Sequence, residues 1–111
     1  MKYNEDQIDR LREHLLPLGN QIKERKMFGA HMFLYKGKGA IGVVGDDFLV
    51  RVVKERMGQG LNRPESKPFA PRGGKGMKET LLIDPNQLKD ETALGFWVDL
   101  GLEHALNASN A

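Results

Sequence analysis

The chain of 111 residues has no cysteine, 40% hydrophobic and 29% charged residues, and a net charge of +2. That length suits one domain, and the missing cysteine excludes a disulfide scaffold, a cysteine nucleophile, a CxxC redox pair and thiolate zinc sites. No apolar run approaches the ~20 residues of a membrane span, and the opening MKYNEDQIDR lacks the apolar stretch of a signal peptide, so a cytoplasmic location is expected.

The first segment reads as an amphipathic helix. Ile8, Leu11, Leu15 and Leu18 repeat at intervals of three and four, with Asp6, Asp9, Arg10, Arg12 and Glu13 on the wet side. Asn4 and Gln7 form a capping-box pattern at its start, and Pro17 and Gly19 end it. Residues 22–28, 31–35, 40–44 and 48–53 then read as strands, with Gly29, the Lys36–Gly39 run and Gly45-Asp46-Asp47 between them. Turns this short join antiparallel strands, because parallel crossovers need a dozen or more residues. Residues 54–62 suit a short helical turn weakened by Gly58 and Gly60, and 63–76, rich in proline and glycine, suit an irregular loop. A last strand covers Thr80 to Ile83, starting near Met77. Pro85 breaks it, and Asp90 caps a final helix with Leu94, Trp97, Val98, Gly101, Leu102 and Ala105 on one side. The expected fold is α+β: an antiparallel sheet of about five strands with the N- and C-terminal helices on one face. A single domain covers residues 1–107, fraying from Asn107 into a tail at 108–111.

The motifs exclude more than they assign. Gly37-Lys38-Gly39-Ala40-Ile41-Gly42 matches GxGxxG, but strand follows it where a dinucleotide site needs a helix. Gly73-Gly74-Lys75-Gly76 lacks the Ser or Thr of a P-loop. His14, His31 and His104 have no metal-ligand spacing; His31 suits a structural role, and His14 and His104 suit partly exposed helical positions. Ser66 and Ser109 lack a nucleophile context. No catalytic residue, metal site or cofactor is expected. Charge is uneven: residues 54–78 hold seven basic side chains against two acidic, and 84–111 hold one against five. Arg51, Arg56, Arg72, Lys75 and Lys78 are therefore the candidates for an anion or nucleic-acid surface. The final helix is more apolar than a surface helix requires. Phe96, Trp97 and Leu100 widen its apolar side and are candidates for contact with a second copy of the chain.

From Met27-Phe28-Gly29-Ala30 onward the chain resembles the TfoX N-terminal domain family, the first domain of the Sxy/TfoX competence regulators. The resemblance continues through the turn at Tyr35-Lys36-Gly37-Lys38, the strand from Asp46 to Val52, Lys67-Pro68-Phe69, and Gly74-Lys75-Gly76-Met77-Lys78. It closes with Ala93-Leu94, Trp97-Val98 and Leu102-Glu103. Three positions depart from the family pattern: Ala30 and Glu79 stand where it has glycine, and Gly76 where it has proline. The full regulators carry a further helix–hairpin–helix-like domain, which nothing in this chain matches, so the resemblance is to the first domain standing alone. It implies a sheet-and-helix domain with a non-enzymatic, regulatory role, protein–protein contact and self-association as a homodimer. It transfers no catalytic residues. Anion or nucleic-acid binding through the 51–78 region is the alternative, and a small-ligand cleft beside the 63–76 loop comes third.

Overall fold

The fold is given by a computed structural model that describes residues 3–27, 29–69 and 78–110. The Asn4 side chain accepts hydrogen bonds from the backbone N–H groups of Asp6 and Gln7, which starts helix α1 at Glu5–Leu15. Asn4 also donates to Gly45 and Asp46, tying the helix start to a turn of the sheet. Pro17 lies in a 3-10 turn over Leu16–Gln21, where Gly19 adopts a φ of +56° and the chain swings into the sheet.

The sheet has six strands: β1 Ile22–Met27, β2 Ala30–Tyr35, β3 Lys38–Val44, β4 Asp47–Arg51, β5 Ser66–Pro68 and β6 Thr80–Ile83. Their order is β1-β2-β3-β4-β6-β5, with every pairing antiparallel. The meander expected over residues 22–53 is present. Lys36 and Gly37 both take positive φ, as a tight two-residue hairpin between right-twisted strands requires. The sixth strand is the departure: Ser66–Pro68, expected to be loop, pairs along the edge of β6. A proline-containing segment hides this from a pattern reading, since only an edge strand tolerates the missing N–H.

Between the central and edge strands, Lys54–Arg56 forms a 3-10 turn that leads into α2 at Met57–Leu61. Asp90 caps α3, which runs over Glu91–Ser109. The helix therefore extends two residues beyond Asn107, where fraying was expected. Both long helices pack on one face of the sheet. Ile8, Leu11 and Leu15 of α1 and Leu94, Trp97 and Val98 of α3 meet Phe33, Ile41, Phe48, Val50, Leu81 and Ile83 in the main core. A smaller cluster of Ala30, Met32, Leu34, Leu49 and Phe69 occupies the alternate strand positions, on the opposite face.

Close approach of α3 to the sheet depends on Gly101. A Cβ there would stand 2.5 Å from the carbonyl oxygen of Ala40. At that point the register slips, with Phe33 opposite Ile41 and Leu34 opposite Gly39, so Ala40 is an extra residue in β3. The helix rests on this bulge.

Candidate functional site

Three of the five candidate cations fall among the described residues, and two of those three are engaged within the domain. Arg51, at the end of β4, donates to the Thr80 hydroxyl at 2.7 Å and to the Lys78 carbonyl at 3.3 Å. Arg56 donates through Nε to Glu103 of α3 at 2.6 Å and through a terminal nitrogen to Gln59. Lys78 is exposed beside the start of β6. Arg72 and Lys75 lie outside the described residues, as do Phe28 and Met77 of the family motif. Met27 ends β1, and Gly29 turns the chain into β2 with a φ of +72°.

The Arg51–Lys78 corner also holds Glu79, one of the three departures from the family pattern. Glu79 has a φ of +56°, a conformation that favours glycine. It stands where the family pattern has glycine. Its carboxylate meets Nε2 of His104 at 3.0 Å. His104 was expected to be partly exposed; instead it is buried on α3, where Glu79, just before β6, meets it. Burial and the nearby Arg51 push its pKa below the ordinary histidine value, against the opposing pull of Glu79. The neutral ring thus donates from Nε2 to Glu79, and its buried Nδ1 has no hydrogen-bond partner among the described residues. A cleft of about 370 Å³ opens beside the pair, bordered also by Val53, Lys54 and Asn107.

The three interface candidates of α3 separate. Trp97 has no exposed surface and Leu100 is buried, so both belong to the core of this chain, and only an edge of Leu100 reaches the surface. A helix laid across a sheet buries a wide stripe, and the apolar excess on α3 is mostly used there. Phe96 remains half-buried at the flank. Trp97 donates from Nε1 to Glu65 at 2.9 Å, and Arg63 donates from Nε to the same carboxylate oxygen at 2.8 Å. Burial pushes the Glu65 carboxyl up, but the bonds from Arg63 and Trp97 outweigh it and hold its pKa below the ordinary value. The Arg63 guanidinium lies 4.0 Å from the centre of the Phe96 ring. Sequence reading missed Arg63 and Glu65, since an Arg-Pro-Glu run in a loop carries no periodic signal.

Along the outer side of α3, Phe96, Leu100 and the exposed Leu106 share a groove of about 450 Å³ with Arg56, Gln59 and Glu103. The other two histidines also meet glutamates. His14 and Arg10 of α1 both bind Glu91 at the start of α3, and His31 joins Arg12 on Glu24. Among the described residues, no three His, Asp or Glu side chains gather in a way that could hold a metal ion. No helix among them is long and apolar enough to cross a membrane.

No curated protein and no solved structure matches this chain. A family model does: the TfoX N-terminal domain matches residues 13–105, from the second half of α1 into the last turns of α3. The aligned stretch takes in the whole sheet, the meander turns and the helix that rests on it. The chain therefore belongs to the TfoX N-terminal domain family, as a competence-regulator-like module.

Proposed function

We propose that this domain is a non-enzymatic regulatory module that acts in the cytoplasm through protein–protein contact, as a homodimer. Family membership supports the regulatory reading. The observation that carries the contact surface is the outer flank of α3. There Leu106 is 38% exposed beside half-buried Phe96, and the Arg56–Glu103 ion pair borders the groove between them. An apolar patch rimmed by charge is the usual anatomy of a contact surface. Two-fold packing places the same flank of each copy against the other.

Anion or nucleic-acid binding through the 51–78 region draws less support, because Arg51 and Arg56 already bind Thr80 and Glu103. The test of the main reading is light scattering across a concentration series, with Leu106→Glu alongside. The expected result is a dimer at tens of micromolar, on the order typical of modest interfaces, that Leu106→Glu converts to monomer. A strictly monomeric wild type overturns it. Salt-titrated anisotropy with labelled DNA and RNA separates the alternative, for which affinity must fall steeply with salt.

A further inference from the structure

The geometry points to a binding site for a small carboxylate anion at the cavity between the end of α2 and the start of α3, with Arg63 as its anchor. The cavity measures about 280 Å³ and is lined by Asn62, Arg63, Glu65, Gln87, Lys89 and Ala93, with Pro64 at its rim. That is near the small end of the ~300–1,000 Å³ range of ligand pockets.

Arg63 is held in place before any ligand arrives. Its backbone N–H donates to Gly60, and its carbonyl accepts from both the backbone N–H and the hydroxyl of Ser66. Its guanidinium carbon lies 4.0 Å from the centre of the Phe96 ring, and Nε donates to Glu65. These contacts engage the ring side of the group and its Nε. Among the described residues, its two terminal nitrogens have no hydrogen-bond partner, and neither does the Lys89 ammonium. A guanidinium fixed this way presents two parallel N–H donors, the spacing of a carboxylate's two oxygens.

Charge selects the ligand further. Glu65 is balanced by Arg63, the ion pair being 2.8 Å long with the glutamate side chain only 6% exposed. Lys89 then leaves the cavity with one uncompensated positive charge, which matches a singly charged carboxylate better than a doubly charged phosphate. Gln87 donates its amide nitrogen to Asp84, which leaves its carbonyl oxygen to accept from a hydroxyl or amine on the same ligand.

This site does not rest on the proposed dimer contact, although Phe96 takes part in both. Trp97, the only tryptophan of the chain, reports on it because it shares the Glu65 oxygen with Arg63. The experiment is a titration of the intact protein with acetate and, separately, inorganic phosphate at constant ionic strength, followed by Trp97 emission. Acetate is expected to give a saturable change. Arg63→Lys, which keeps the charge and loses the fork, should weaken it about tenfold or more. Lys89→Ala, at an exposed position, should weaken it about threefold without altering the melting curve. Lys38→Gln, in a distant hairpin, should leave the titration unchanged. No saturable change with acetate, a response to phosphate alone, or titrations that Arg63→Lys and Lys89→Ala leave unaltered would each overturn the assignment.

Discussion

Glu79 shows how one side chain can offset the strain of its own backbone. A non-glycine residue in the left-handed region costs about 1 kcal/mol or more, and the family pattern has glycine at this position. Here the carboxylate is matched to His104 at 3.0 Å, a bond that glycine cannot make. The two contributions can be separated by substitution. Glu79→Ala keeps the strain and loses the bond, whereas Glu79→Gly loses both. Urea unfolding should therefore find Glu79→Ala less stable than Glu79→Gly by about 1 kcal/mol. Equal stability of the two variants would mean that the backbone at this point relaxes freely. Arg63 illustrates the same scale differently. Its neighbours in sequence, Asn62 and Pro64, suggest only a loop, and its role comes from Phe96 and Glu65, which the fold brings to it.

At the scale of elements, α3 is the piece on which the architecture depends. It supplies Leu94, Trp97, Val98, Leu100 and Ala105 to the core and crosses β3 at Gly101. Adding one methyl group there forces the helix off a backbone carbonyl rather than off a flexible side chain. Gly101→Ala is expected to destabilise the domain by about 2–3 kcal/mol, read as a lower urea midpoint with an unchanged slope. The same change at Gly58, where a Cβ meets nothing within 4 Å, should be neutral or stabilising. The outer edge of the sheet is treated differently. In β1, Lys23, Glu24, Arg25 and Lys26 are all exposed, a charged edge that discourages pairing with another sheet. That edge is fastened to α1 by Arg12, which holds the Glu24 pKa down to about 2 with help from His31 and against the opposing effect of burial.

For the whole molecule, these ion pairs set a pH profile. The folded pKa of Glu24 lies at about 2, below its ordinary 4.5, so its contribution is complete above 4.5 and disappears as pH falls towards 2. Arg12 and Glu24 are partly exposed, and solvent screening reduces the effect to about 1 kcal/mol. His104 acts at higher pH. Its folded pKa is lowered from 6.5, so its contribution is present above 6.5 and is lost as pH falls below that value. Protonation would put a second donor at the buried Nδ1 and a positive charge on a ring that Arg51 already disfavours charging. Urea midpoints from pH 8 to pH 3 should therefore fall in two stages. Glu24→Gln should flatten the lower stage and His104→Gln the upper; a profile unchanged by either variant would refute this account. The amino-acid sequence by itself determined the starts of the two long helices, the meander and the antiparallel α+β class, because caps, tight turns and hydrophobic period are local properties. Asn4, Lys36-Gly37 and Asp90 act in the structure as their positions in the chain suggest. The motif series carried the family, since its pieces are contiguous. Only the tertiary structure decided that Trp97 and Leu100 face inward, that Ser66–Pro68 completes the sheet, and that Glu79 meets His104. The cavity of Arg63 was equally invisible. Each of these depends on which distant segments touch, and a hydrophobic or charged residue looks the same in sequence whether its partner is water, the core or another side chain.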